Sequence, residues 1–361
     1  MDVRLVPPAQ FRFSGVSLLI ALTGLLSLSA LLFESYADVV PGLSISLPFL
    51  ICAVLCAALG YLVVPLLRSL KAGQVIQEDG PQTHLYKAGT PTMGGIFFIP
   101  VAVIVALIWT GFATSVTVVS LLTLTYASIG WLDDWQILRR KSNKGISPRT
   151  KLLLQVVGAI VFCIGVAATQ STSITTVQLP LGISIALGIL FFPLAIFTLV
   201  AESNATNLTD GVDGLAGGTG AIAALGLAML VAPQSLPLAI FCACLSGSCV
   251  GFLTHNRNPA RVFMGDTGSL ALGGALAGVG IISGHLWGLF IISGIFFVES
   301  LSVIAQVGYY KATKDSKGKG KRLLKMAPVH HHLELSGWSE IQIVAMFYLI
   351  NAILVGLTIF F

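Results

Sequence analysis

The sequence predicts an all-α polytopic membrane protein. Three observations carry the prediction. The chain is 55% hydrophobic and 10% charged, where a soluble domain is about a quarter charged. Its apolar residues gather into eleven runs. Most approach the roughly 20 residues a helix needs to cross about 30 Å of hydrocarbon. All 20 Lys and Arg fall in alternate gaps between those runs when the N-terminus is placed inside. That is the positive-inside rule at its limit. Backbone polar groups in lipid must be satisfied within the segment, so the runs are helices. Their length and the lack of strict alternation exclude a transmembrane barrel.

The runs can be taken in order. The first, 15–33, follows Arg4 and Arg12 and ends without a small-residue cleavage site, so it reads as a retained anchor. Next come 47–67, 93–111 (opened by Gly-Thr-Pro-Thr-Met-Gly-Gly) and 114–132. The run 152–169 follows the basic stretch from Arg139 to Lys151. Between Ser171 and Leu181 an alternation of Ile174, Thr176 and Gln178 predicts a small outside hairpin. Then come 183–201, 215–232, 236–253, 268–284, 286–308 and 341–361. The Lys/Gly run 314–321 reads as a mobile, solvated link. The six cysteines all lie in apolar runs and read as buried small residues. The net charge of +5 is explained by loops facing anionic membrane lipid, so no nucleic-acid partner is expected.

The inside gaps hold the chemistry. Asp133, Asp134, Asp210, Asp213 and Asp266 stand at run ends on that side. One Asp at a helix start is ordinarily a cap. Several that converge repel, and a hard divalent cation relieves the repulsion. Gly265-Asp266-Thr267-Gly268 opens a helix, where free N–H groups suit an anion. Asn207-Leu-Thr-Asp210-Gly211-Val212-Asp213-Gly214 repeats that logic, with Asn207 and Asp210 on one face if the segment is helical. Lys87 and Thr92 precede Gly94-Gly95, offering an ammonium and a hydroxyl to phosphate or, more plainly, opening a well-capped helix. Lys151 stands at the membrane rim, within reach of a carboxylate or a lipid phosphate. His330-His331-His332 is internal; hydrogen bonding to phosphate or sugar suits it better than zinc, for which Cys partners are missing. Glu299 and Gln306, seven residues apart, are polar groups in or near an apolar run.

These motifs resemble the polyprenyl-phosphate hexosamine-1-phosphate transferases. The resemblance rests on His84-Leu-Tyr-Lys87-Ala-Gly-Thr-Pro-Thr-Met-Gly-Gly, Asp133-Asp134, Asn207-Leu-Thr-Asp-Gly-Val-Asp-Gly-Leu-Ala, Phe263-Met-Gly-Asp-Thr-Gly-Ser and Met326-Ala-Pro-Val-His-His-His-Leu-Glu-Leu. It covers nearly everything from Leu47 onward, and the triple His marks the branch whose donor is UDP-N-acetylmuramoyl-pentapeptide. It implies a ten-helix transferase core at 47–361, preceded by an extension at 1–46 with one extra transmembrane helix. It also implies an enzyme of the bacterial inner membrane with a cytoplasmic active site. That enzyme joins its donor to undecaprenyl phosphate with Mg²⁺, giving lipid I and UMP, and is compatible with a homodimer. By that pattern Asp266 is the principal metal ligand, and Asp133 and Asp134 stand near the lipid phosphate, with Asp133 the base. Asp133, Asp134 and Asp210 are the further candidates for the metal. Asn207, Asp210, Gly211, Val212, Asp213 and Phe263 form the nucleoside pocket with Lys87 beside it; Lys151, Thr92, Gln306, His330 and His331 are further contacts. One departure is Ile137, where the family often carries Lys.

Two rivals stay open on sequence. A sister transferase would use UDP-N-acetylglucosamine, which the His triplet disfavours. A transporter or lipid flippase would exploit Glu299 and the Gly-rich breaks near 273–284.

Overall fold

The computed structural model describes residues 14–36, 44–70, 87, 89–140, 145–169, 172–179 and 182–360. Arg4, Arg12, Lys71, Lys141 and the His84-Leu-Tyr part of the first motif lie outside them. The helices are α1 Gly15–Tyr36, α2 Ser46–Ser69, α3 Gly95–Trp109, α4 Thr114–Arg140, α5 Pro148–Thr169, α6 Phe191–Thr209, α7 Leu215–Val231, α8 Leu236–Asn256, α9 Gly265–Ile282, α10 Leu286–Ile292, α11 Gly294–Ala312, α12 Val329–Glu334 and α13 Glu340–Phe360. Strands β1 Thr176–Gln178 and β2 Ser184–Ala186 pair antiparallel, with Val177 opposite Ile185.

Among the described residues, eight helices are long and apolar enough to span a membrane, or nine if bent α10 and α11 count as one; α3 and α7 are shorter apolar helices. Every predicted run therefore holds a helix. The bundle is layered. Helices α8 and α9 are 89% and 83% buried over their apolar windows, whereas α1 is 17% and α2, α5 and α13 are 28% buried. The central helices are rich in small residues, which let backbones close in. At Gly130 of α4 a Cβ would lie 2.0 Å from the Asp266 carbonyl oxygen, so α4 can reach α9 only through glycine. All six cysteines are buried and free, as expected.

Four expectations need correction. The carboxylate pair is not at a loop. Helix α4 continues to Arg140, because no Gly or Pro follows Leu132 to stop it. Trp131 and Trp135 stack along its outer face at 5.7 Å, and Asp133 and Asp134 are buried. The hairpin lies further along than expected, taking residues 184–186 from the predicted run, so α6 begins only at Phe191. Gly182 and Gly188, both at positive φ, set its turns. The run 286–308 is broken by a 73° bend between α10 and α11. Ser293-Gly294 is the kind of pair at which helices kink, and the Ser293 hydroxyl donates to Glu202 at 2.6 Å. Finally, the Lys/Gly run is a formed turn. The Asp315 carboxylate accepts from the backbone N–H groups of Lys317 and Lys319, both at 2.9 Å.

Candidate functional site

The end of α4, the starts of α5 and α9 and the last turn of α6 meet at one end of the bundle. Lys151 on the first turn of α5 donates to the Asp266 carboxylate on the first turn of α9, and stands 3.9 Å from Asp133. The other Asp266 oxygen accepts from Asn207 on α6 at 2.7 Å, while Asp210, expected on the same helical face as Asn207, stands just past the helix end. Asn207 also bonds the Ser269 hydroxyl at 2.8 Å. The Asp133 carboxylate accepts from the Ile146 N–H at 2.8 Å and lines a cleft of about 930 Å³ with Lys151, Gln136 and Arg140.

Asp134 does different work from its neighbour. Its oxygens accept from the N–H groups of Asp266 (3.2 Å) and Thr267 (3.0 Å) and from the Thr267 hydroxyl (2.6 Å). It therefore caps α9 from another helix, answering that helix's orphan donors and its positive end. The close fit requires Gly265, which has φ +71°; a Cβ there would fall 2.6 Å from Asp134 and 2.8 Å from the Thr92 hydroxyl. This places buried Thr92 beside the site.

Asp210 lies between this centre and a second one. Desolvation, with Asp266 and Asp134 adding repulsion, pushes its carboxyl up to about 7; the Gly265 N–H offsets part of that. Beyond it, the Lys87 ammonium sits between Asp213 (2.7 Å) and Glu340 (2.8 Å). Burial alone would lower the Lys87 pKa, but the two carboxylates outweigh it and the pKa is raised. Asn258 donates to Asp213 at 3.2 Å and to Glu340 at 3.1 Å, and the Ala260 N–H donates to Asp213 at 2.9 Å. Val212 is buried. The half-buried Phe263 is fixed by its backbone, which donates to Pro91 and accepts from Gly94, both at 2.8 Å.

His330 is fully buried, with Nδ1 3.1 Å from Glu299. Its Nε2 has no hydrogen-bond partner among the described residues and lies against Gly211, where a Cβ would be 2.2 Å away. His331 bonds Glu334 at 2.7 Å. Gln306 is spent on the chain before α12: its oxygen accepts from Leu323 and Leu324 at 3.0 and 2.9 Å, and its nitrogen donates to the Leu324 carbonyl.

Sequence reasoning missed Glu340, Asn258, Thr267 and Ser269. Asn258 was visible inside His-Asn-Arg-Asn-Pro, and Glu340 as an acid opening an apolar run. Neither carries a spacing that names its partner. Among the described residues no three His, Cys, Asp or Glu side chains are grouped so as to hold a metal by themselves. Asp134 is taken by its three donors, and the Lys151 ammonium stands where a cation between Asp266 and Asp133 would stand. The remaining donors are the hard carboxylate oxygens of Asp133, Asp210 and Asp266, of the kind that suits a hard divalent ion.

Comparison with known proteins meets the same residues. Residues 116–284 match the glycosyl transferase family 4 model, and residues 87–99 match signature 1 of the phospho-N-acetylmuramoyl-pentapeptide-transferases. The phospho-N-acetylmuramoyl-pentapeptide-transferase of Gloeothece citriformis is 67% identical over 98% of this chain and 97% of its own. That of Rippkaea orientalis is 65% identical, with the same coverage. That of a Nostoc species is 62% identical over 99% of this chain and 98% of its own. With such identity along nearly its whole length, the chain belongs to the phospho-N-acetylmuramoyl-pentapeptide-transferase family.

Proposed function

We propose that this protein transfers phospho-N-acetylmuramoyl-pentapeptide from its UDP donor to undecaprenyl phosphate, yielding lipid I and UMP. The reading makes it a phosphoglycosyl transferase of the bacterial inner membrane, with its active site on the cytoplasmic face. The observation that carries it is the Lys151 ammonium held between Asp266 and Asp133 on the wall of an open cleft. The reaction sets a phosphate monoester against a diphosphate, and anion repulsion is the barrier. Positive charge aimed at the transferred phosphoryl group is the main resource against it.

The roles combine this geometry with what the family resemblance implies. Asp133 faces the cleft and is placed to take a proton from the acceptor phosphate. Lys151, on the same wall, neutralises phosphate oxygens. An acceptor oxygen attacks the phosphorus that bears the sugar; the bond from that phosphorus to the bridging oxygen breaks, and its electron pair leaves with UMP. Asp266, with Asp133 or Asp210, would hold Mg²⁺, which supplies charge neutralisation when bound. Asp210 to Asp213, Phe263 and Lys87 receive the uridine end. Exposed Leu153, Val157 and Val161 on α5 offer the acceptor's chain an apolar flank.

The test is UMP release by purified protein given polyprenyl phosphate and Mg²⁺. The muramoyl-pentapeptide donor should turn over and UDP-N-acetylglucosamine should not; a chelator should stop the reaction. Solute movement across vesicles without UMP release would establish the transporter reading instead.

A further inference from the structure

The first helix, expected as an extension to a ten-helix core, has its first turn against the uridine-side centre. At Gly15, the first residue of α1, a Cβ would fall 2.1 Å from the Asn258 carbonyl oxygen. Asn258 is the residue whose side chain bonds both Asp213 and Glu340. Gly15, Leu18 and Leu19 wall a residual void of about 20 Å³ with Asp213, Gly214 and Tyr348. That leaves room for about one water, so the helix is close-fitted there. The Tyr348 hydroxyl donates to the Gly214 carbonyl at 2.6 Å and ties the same turn to α13.

The outer end of α1 is fixed as well. The Glu34 carboxylate accepts from the Ser46 N–H at 2.7 Å and the Ser46 hydroxyl at 2.8 Å, capping α2. A helix held at its far end cannot slide away from an intrusion at its near end. Displacement at Gly15 is therefore passed to Asn258, and through it to Asp213, Glu340 and Lys87.

We propose that α1 is a positioning element for donor binding: Gly15 and Leu18 hold Asn258 and the Asp213–Gly214 turn in the geometry that receives the nucleotide. This rests on the proposed transferase reading. It adds that the helix governs donor affinity and leaves acceptor affinity and the chemical step alone, because among the described residues α1 packs chiefly on α2, α7, α8 and α13, whereas the Asp133–Lys151–Asp266 centre is built on α4, α5 and α9.

The experiment uses the full chain in detergent or nanodiscs and measures KM for donor, KM for polyprenyl phosphate, and kcat. Gly15→Val should raise the donor KM by about fivefold or more, with acceptor KM and kcat within about twofold. Leu18→Ala, which removes the support without a clash, should raise the donor KM by about two- to threefold, and it decides the matter if Gly15→Val fails to accumulate. Gly24→Ala is the control, since a Cβ there meets nothing within 4 Å; it should change none of the three. An unchanged donor KM in both variants overturns the proposal. Equal losses for donor and acceptor overturn it too, since they report general loosening. Absence of UMP release by the wild type with any donor would instead sink the transferase reading.

Discussion

Two charged centres share one end of this molecule and are built on opposite plans. Around Lys87, an ammonium, two carboxylates and an asparagine are folded into the protein, and the Lys87 ammonium, both Asp213 oxygens and the Asn258 amide nitrogen are bonded to protein groups. Around Lys151, the ammonium and Asp133 line a cleft, and Lys151 stands off Asp133 at 3.9 Å. A closed network rigidifies and specifies a shape. An open one keeps charge available for a ligand. On the function proposed above, the difference divides the jobs: the Lys87 centre would fix a pocket, and the Lys151 centre would do chemistry. Asp133 and Asp134 repeat the contrast between adjacent residues, one facing the cleft and one sealed over the start of α9.

The sharpest way to break this comparison is Asp266→Asn. It weakens the partner of Lys151 and the leading metal candidate together. Turnover should fall by about a hundredfold or more, and the response to added Mg²⁺ should vanish. UMP release over a magnesium titration reads both. Full activity in that variant would remove chemistry from the Lys151 centre.

Lys87→Met tests the other side. Removing one member of a buried ion network leaves Asp213 and Glu340 uncompensated, at a cost of about 3–5 kcal/mol. The expected outcome is a large fall in thermal stability in detergent, against a small one for Lys151→Met. If Lys151→Met destabilises as much as Lys87→Met, the two centres are not built on different plans.

How much of this was readable beforehand follows from where each signal lives. The helices were legible because lipid imposes one backbone solution on any long apolar run, and the basic residues marked which ends belong together. The convergence of Asp133, Lys151, Asn207 and Asp266 was legible from motif type and side of the membrane. What stayed hidden was assignment within the cluster. Nothing in Asp133-Asp134 says that the second carboxylate caps α9, because its partners lie more than a hundred residues on. Glu340 was hidden for the same reason: a single acid at a helix start reads as a local cap, and its bond to Lys87 is purely tertiary. The bend at Ser293 was masked by continuous hydrophobicity across 286–308.

Asp134→Asn sharpens the contrast inside the pair. The amide keeps an acceptor but loses the charge that complements the α9 N-terminus. The expected cost is about 1 kcal/mol of stability. Because α9 carries Asp266, a moderate loss of kcat with little change in donor KM should accompany it. A loss as deep as that of Asp266→Asn would put Asp134 on the substrate or the metal after all.

The smallest expected effect belongs to Gln306→Ala, and it discriminates between two jobs for one residue. The resemblance offers Gln306 as a substrate contact, yet its amide is engaged by Leu323 and Leu324. Those bonds tie α11 to the chain that leads into the His330 turn. If that tie is its whole role, the variant loses about 1 kcal/mol of stability, and its KM values move by less than about threefold. The His330–Glu299 pair holds the turn independently, so the packing of His330 on Gly211 survives. If donor affinity falls by tenfold or more at unchanged thermal stability, the amide must leave the backbone and reach the substrate during turnover. In that case the plan drawn for the Lys87 centre, polar groups closed upon the protein, would not extend to this side of the pocket.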